Sequence, residues 1–314
     1  MATPAPIQHI RTSEERSRLL ARLERGIQLR YLLLVAPGVL FLFVFYGYPV
    51  AAMLMRAFND PVWGFANFDK LTVIRSHEDW YLFSMPMNAY IRVFTITLRI
   101  ALVVTVITLL LAYPVAYVLS SISAAKANLL MILVLVPFWT SILVRSYAWM
   151  VLLGREGTIN RILIRSGIRD EPMQLLNTRF AVYVGMVHIL LPFMILPLYS
   201  VMRGIDRNYL RAAENLGGRP SQVFRHVFLP LSLPGIGAGS LVVFILSLGF
   251  YITPALIGGP RDVMISMMIF QQVNVPNWGF AAALALILLV IAMVIYLVFN
   301  KILGVEQLYG GTRK

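Results

Sequence analysis

The sequence has no cysteine and very little charge. Of its 314 residues, 59% are hydrophobic and only 13% are Asp, Glu, Lys or Arg, about half the charged fraction of a typical soluble protein. Without cysteine there is no disulfide, thiol nucleophile or thiolate metal site. The four histidines lie too far apart to show metal-ligand spacing, and other candidate catalytic side chains are equally scattered. We therefore predict no catalytic residue, no metal site and no cofactor.

The few charges are clustered, which leaves long uncharged runs and a mean hydropathy of +0.77. Runs of this length cross the roughly 30 Å hydrocarbon layer as helices. The sequence predicts an all-α membrane protein of about six transmembrane helices, within residues 31–55, 89–119, 129–153, 180–202, about 231–257 and about 279–301. Prolines at membrane depth are expected to break or kink helices: Pro114, Pro137, Pro192, Pro197, Pro234 and Pro254.

The net charge is +13, but the basic residues flank the apolar runs, as topology signals do, so nucleic acid is not an expected partner. Segments on the side of both termini carry 15 Lys and Arg against nine on the other side, which predicts cytoplasmic termini. We expect a cytoplasmic amphipathic segment at 1–30, a transmembrane domain at 31–305 and a cytoplasmic tail at 306–314.

The loop between the fourth and fifth predicted spans, residues 203–230, is polar and locally structured. Asp206 is expected to cap a helix that runs to Leu216, because its carboxylate can accept the unpaired amide protons of the first turn. Gly217 and Gly218 then provide a helix stop. A second short helix is expected from Pro220, with Ser221 as a candidate cap, leading through Leu229 and Pro230 into the fifth span.

The spacing of small residues in this loop is specific. Ala212 and Ala213 are followed by Gly217 and, after nine residues, by Val227, Phe228, Leu229 and Pro230. This resembles the EAA signature of bacterial ABC-importer permeases, in which the loop is a coupling helix that seats in a cleft of the ATPase subunit. The resemblance implies that the ATPase-coupling residues are Leu210, Arg211, Ala212, Ala213, Glu214, Leu216, Gly217, Leu229 and Pro230.

One departure from the signature is a charge reversal. Arg211 occupies the position of the family's Glu. Glu214, three residues later, lies on roughly the same helix face. Our hypothesis is that Glu214 makes the acidic contact to the ATPase.

Other motifs resemble the spermidine/putrescine-type permeases, in residues 112–114, 136–139, 144–147, 191–194, 251–255, 258–260 and 277–280. The match retains order and spacing over about residues 90–305. It implies a bacterial inner-membrane location and an importer built with two ATPase subunits, a second permease (related or identical) and an external solute-binding protein. The chain has no GxxxxGK[ST] sequence, so ATP hydrolysis is expected in the partner ATPases.

Candidate residues for the substrate path are Trp139, Arg145, Tyr147 and Tyr251. A charge inside a span usually faces a cavity or a partner, so Arg145 is either a path-lining or gate residue, or it snorkels to the interface or pairs with backbone carbonyls. His188 is interpreted as a hydrogen-bonded core residue. No Asp or Glu lies within the six predicted spans, which leaves a polyamine, an opine, a phosphonate or an amino-acid-derived substrate open.

Two other classes of membrane protein are alternatives. An ion-gradient-driven secondary carrier would be expected to have intramembrane acids and paired inverted repeats. An intramembrane enzyme would need clustered His, Asp, Ser or Glu on facing spans. The sequence shows neither pattern.

Overall fold

The computed structural model describes residue 31 and residues 33–72, 81–82, 85–86 and 89–303. The amphipathic segment expected at 1–30 and the tail expected at 306–314 lie outside these residues. The described chain divides in sequence after Met55 into two compact units. The first unit contains most of helix α1, Leu33–Asn59, which is long and apolar enough to cross a membrane and includes a π-helical turn at Phe43–Gly47.

The second unit, from Arg56 onward, is built almost entirely of helices. These are α2 (Ala66–Thr72), α3 (Ala89–Ser121), α4 (Ala124–Leu135), α5 (Ile142–Leu153), α6 (Thr158–Arg165), α7 (Arg179–Gly204), α8 (Arg207–Asn215), α9 (Pro220–Leu248), α10 (Ile252–Ile257), α11 (Ile265–Asn274) and α12 (Trp278–Leu303). Two short antiparallel strands precede α3, namely β1 (Tyr81–Leu82) and β2 (Met85–Pro86), in the register Tyr81↔Pro86 and Leu82↔Met85.

The core of this unit lies where α3, α7 and α9 pack together. Val104 of α3, Met194 of α7 and Val243 of α9 are fully buried there. Gly239 of α9 permits the close approach of α7, since a Cβ atom at this position would lie 3.2 Å from the carbonyl oxygen of Met194. Small residues allow this kind of contact between membrane helices.

The third predicted span is not straight. It consists of two helical segments, Ala124–Trp139 and Ile142–Arg165, which meet at a bend of 90°. Pro137 lies in a 3₁₀ turn, Val136–Trp139, just before the bend, and Ser141 caps α5 by accepting a hydrogen bond from the Leu143 amide at 3.2 Å. Because proline lacks an amide donor and the serine hydroxyl starts a new helix, the chain turns here.

The sequence predicts that the six prolines break or kink their helices, and four of them do not break theirs. Pro114, Pro192, Pro197 and Pro234 lie inside continuous helices. The missing backbone hydrogen bond can be compensated in a tightly packed membrane helix, so a proline alone does not determine a break.

The contacts at helix ends determine the number of crossings. The C-terminal ends of α3 and α7 meet, since the Arg203 guanidinium donates a hydrogen bond to the Ser120 carbonyl oxygen at 3.1 Å. Both helices are long enough to span a membrane. The chain between them must therefore cross once, which makes the bent segment a sixth span alongside α1, α3, α7, α9 and α12. The predicted all-α fold with six spans is confirmed for the described residues.

The bounds predicted for the fifth span, about 231–257, are wrong. Helix α9 begins at Pro220, includes a π-helical turn at Phe224–Phe228 and ends at Leu248. The following residues form the separate helix α10. The second helix of the polar loop is therefore the first part of the fifth span, because the π-helical turn continues the helix without a break.

Candidate functional site

The first candidate site is the connection between α7 and α9, which contains helix α8. The Asp206 side chain caps α8, since its Oδ1 accepts a hydrogen bond from the Asn208 amide at 2.9 Å. The predicted cap is confirmed. The carboxylate also lies at the positive end of the helix dipole, which favours a negative charge there.

Helix α8 ends in the predicted glycine stop. The Gly217 amide donates to the Glu214 carbonyl at 2.9 Å, and the Gly218 amide donates to the Ala213 carbonyl at 3.0 Å. These two bonds form a Schellman motif. Gly217 has φ +86°, a conformation that side chains other than glycine disfavour. The sequence local to these residues therefore determines where α8 ends.

The predicted cap of the second helix is wrong. Arg219, and not Ser221, is the capping residue of α9, and Pro220 occupies its first turn. The Arg219 amide donates a hydrogen bond to Oε1 of Gln222 at 2.9 Å. Because proline has no amide of its own to satisfy, Pro220 fits the first helical position and moves the cap one residue before it.

The residues proposed for ATPase coupling do not share one surface. Leu210 packs against the core formed by α3, α7 and α9, whereas Leu216 is 90% exposed. Arg211 and Glu214 are also exposed, and neither side chain makes an ion pair or hydrogen bond within the described part of the chain. The other members of the set are Ala212, Gly217 and Pro230, which are exposed, and Ala213 and Leu229, which are half-buried.

Two arginines that the sequence interpretation missed connect this loop to another span. Arg203 donates to the carbonyl oxygens of Ser120 at 3.1 Å and Ile122 at 2.8 Å, and Arg207 donates to Ser120 at 2.9 Å. A cleft of about 660 Å³ borders both guanidinium groups. The sequence shows two cations flanking Asp206. Their acceptors are backbone carbonyls more than 80 residues away, so no side chain in the sequence indicates the contact.

The candidate path residues lie in different environments. Trp139 is 76% exposed and Tyr147 is 63% exposed, whereas Arg145 is only 8% exposed. Tyr251 is half-buried and its ring lies 4.8 Å from the Phe270 ring centroid. The structure therefore does not bring the four residues together as one cluster.

The buried face of α5 is polar. Nε and Nη1 of Arg145 are buried without a hydrogen-bond partner among the described residues. The next residue, Ser146, shares a 2.8 Å hydrogen bond with the Thr253 hydroxyl. One turn further, Trp149 Nε1 donates to Nδ1 of His188 at 3.0 Å. His188 is thus a hydrogen-bonded interior residue, as interpreted from the sequence.

The opposite end of the bundle contains the one ion pair found among the described residues. Arg179, at the start of α7, donates from Nε to Oδ1 of Asp262 at 2.6 Å. The Asp262 side chain is 6% exposed and the Arg179 side chain 33%. The pair holds the segment between α10 and α11 against the N-terminal end of α7.

The sequence and the fold can now be compared with known proteins. Residues 93–304 match the family described as binding-protein-dependent transport system inner membrane component. The chain belongs to this family. It is an inner-membrane permease of the ABC-importer class, and this membership favours an importer over the ion-gradient carrier and the intramembrane enzyme.

Individual relatives agree with the family assignment. The permease is 36% identical over 242 residues to the spermidine/putrescine transport system permease protein PotB of Haemophilus influenzae, covering 73% of this chain and 85% of PotB. It is 34% identical over 296 residues to the inner membrane ABC transporter permease protein YdcU of Escherichia coli, covering 87% and 89%.

A solved structure shares the fold. A chain of a bacterial ABC transporter involved in the import of the acidic polysaccharide alginate superposes with a TM-score of 0.69 at 20% identity, covering 91% of this chain and 98% of that chain. At this identity the comparison supports the fold alone.

Proposed function

We propose that this permease forms, with a second permease, the translocation path for a polyamine or a related amine or amino-acid-like compound delivered by an external binding protein. The observation that carries the proposal is the 36% identity over 242 residues with a permease named for spermidine and putrescine transport. Large apolar side chains such as Trp139 and Tyr147 are exposed on the described surface, and in a membrane protein such surface contacts lipid or another subunit.

Two partner ATPase subunits are proposed to drive the movement, with α8 as the coupling helix. Leu216, at the end of α8, is 90% exposed. An exposed leucine on a short rigid helix is suited to a groove on a partner protein. Arg211 and Glu214 lie on the exposed part of the same helix and offer one charge of each sign to that partner.

The hypothesis for Glu214 is tested with Glu214→Ala, which should reduce both co-purification of the ATPase and its stimulation. Glu171→Ala is the matched control, because it removes an exposed carboxylate from the connection at the other end of the bundle. Unchanged ATPase binding and stimulation in Glu214→Ala would show that Glu214 does not replace the missing family Glu.

The proposed topology has both termini in the cytoplasm. Six spans require both termini on one side, and the bias of 15 Lys and Arg against nine selects the cytoplasm. A reporter fused after Lys314 tests this. Fluorescence from a reporter protein that fluoresces only in the cytoplasm supports the proposal. Activity from a phosphatase that is active only in the periplasm contradicts it.

A second substrate class is favoured by one observation. Arg145 presents two buried nitrogens without a partner, and the described spans contain no Asp or Glu to balance its charge. A buried cation favours an anion nearby. An opine, phosphonate or amino-acid-derived substrate would provide such an anion, and a carboxylate of the second permease is the other source.

Uptake by the reconstituted complex distinguishes the two classes. Radiolabelled putrescine is offered with unlabelled spermidine or 4-aminobutyrate as competitor, and radiolabelled 4-aminobutyrate is offered in a separate measurement. Competition by spermidine alone supports the polyamine. If 4-aminobutyrate is itself transported and putrescine is not, the substrate carries a carboxylate and the polyamine proposal is wrong.

A further inference from the structure

The C-terminal end of α3 accepts hydrogen bonds from two guanidinium groups of the α7–α8 corner. Arg203, in the last turn of α7, reaches the carbonyls of Ser120 and Ile122, and Arg207, in the first turn of α8, reaches Ser120. The three N···O distances lie between 2.8 and 3.1 Å. One carbonyl thus receives a donor from each of two consecutive helices.

These acceptors are carbonyls at a helix end. The last carbonyls of a helix have no partner within it and carry the negative end of the helix dipole. A guanidinium satisfies both needs, because it offers a positive charge and several donors in a fixed geometry. The hydroxyls of Ser120 and Ser121 both donate to the Tyr117 carbonyl, each at 2.8 Å, so a guanidinium is not needed at that earlier carbonyl.

Apolar packing of α8 at this point comes from Leu210, which packs against the core formed by α3, α7 and α9. A cleft of about 660 Å³ lies beside this contact and is lined by Arg203 and Arg207 together with Tyr117, Leu210 and Phe228. Helix α8 also packs against the first turns of α9. Within the described residues, Arg207 forms the direct polar connection between α8 and the end of α3, and Arg203 attaches the adjoining last turn of α7 to the same end.

We propose that Arg203 and Arg207 are positioning residues that make α8 and the C-terminal end of α3 move as one body. This inference rests on the proposed role of α8 as the coupling helix. Helix α3 belongs to the core with α7 and α9, so a displacement of α8 by an ATPase would be transmitted through the guanidinium bonds directly into the core. Without these bonds α8 would still bind the ATPase, but only the Leu210 contact and the chain connections at its two ends would attach it to the core, so it would move more independently of α3.

The experiment measures the distance between α3 and α8 in the assembled transporter. The natural sequence has no cysteine, so Val118→Cys and Asn215→Cys, both at exposed positions, carry unique spin labels when the partner subunits are made cysteine-free. Double electron–electron resonance gives the distribution of distances between the two spin labels, with and without ATP and vanadate. The test variant carries Arg203→Gln and Arg207→Gln.

In the unchanged protein we expect one narrow distribution that stays the same in both nucleotide states. In the double variant we expect a broader distribution whose mean depends on nucleotide. The reason is that the loss of each hydrogen bond from a charged donor weakens the attachment by about tenfold or more. ATP hydrolysis per transported molecule should rise. A variant carrying Arg203→Lys and Arg207→Lys should be intermediate, because lysine keeps the charge but not the fork of donors.

Lys126→Gln is the control, since it removes an exposed cation from the first turn of α4 and should change nothing. A thermal unfolding curve identifies variants that do not fold. The proposal is overturned if the double Gln variant folds and keeps the narrow, nucleotide-independent distribution. If the unchanged chain fails to bind any ATPase, the coupling function is wrong, while the nucleotide-free distributions still test the attachment.

Discussion

Replacement of Gly217 should weaken the end of α8 by a predictable amount. Gly217 has φ +86°, and a Cβ atom added there would meet no atom within 4 Å. The cost of Gly217→Ala is therefore conformational and not steric, and amounts to about 1 kcal/mol. This lowers the population of the closed helix stop by about fivefold. Gly217→Asn should cost less, because Asn adopts this conformation more readily, and Gly217→Val should cost more.

Hydrogen exchange at the Gly217 and Gly218 amides measures this effect, because these two amides form the bonds that close α8. Protection should decrease in the order Gly, Asn, Ala, Val at position 217, and co-purification of the ATPase should follow the same order. Gly204→Ala is the control, since its Cβ also meets nothing within 4 Å but its φ is not positive. Equal protection in the Ala and Asn variants would refute the reasoning.

Three further predictions concern stability in detergent, measured by thermal unfolding. Ser146→Ala should destabilise the protein by about 0.6–2 kcal/mol because it leaves the buried Thr253 hydroxyl unpaired, and adding Thr253→Val should restore part of the loss. Asp262→Asn should cost about 2 kcal/mol, since it breaks a buried ion pair whose partner, Arg179, is partly solvated. Gly279→Ala should cost about 1–3 kcal/mol, because its methyl group would overlap a backbone carbonyl of the loop before α2.

Matched variants separate these effects from general damage. Gly249→Ala introduces a methyl group where no atom lies within 4 Å, and Asp170→Asn neutralises an exposed carboxylate. Both should leave the melting temperature unchanged. A loss of stability in Gly249→Ala as large as in Gly279→Ala would contradict the steric argument. If the variant carrying both Ser146→Ala and Thr253→Val melts at the same temperature as Ser146→Ala alone, the argument from the unpaired Thr253 hydroxyl is wrong.

Local chemistry in the polar loop was predictable from sequence. The cap at Asp206 and the stop at Gly217 depend on hydrogen bonds between residues two to five positions apart, so nearest neighbours are sufficient to specify them. The same is true of Pro220, whose missing amide determines where α9 begins. The error at Ser221 came from choosing a capping side chain over this backbone constraint.

The environment of individual side chains was not predictable in this way. Arg145 and Tyr147 both lie on α5, yet one is 8% exposed and the other 63%. Both residue types occur at path-lining and at packed positions, and only the direction of α5 after the 90° bend separates them. Leu210 likewise faces the core and Leu216 does not, although both fit an amphipathic helix.

The sequence by itself determined that this protein spans a membrane and where the polar loop forms a capped and glycine-stopped helix. Each of these results from interactions that are continuous along the chain, namely the transfer of apolar runs into the bilayer and hydrogen bonds within single turns. The tertiary structure alone decided that Arg203 and Arg207 bind the end of α3 and that Arg145 is buried. Those contacts join residues far apart in sequence, and their geometry exists only once the helices have packed.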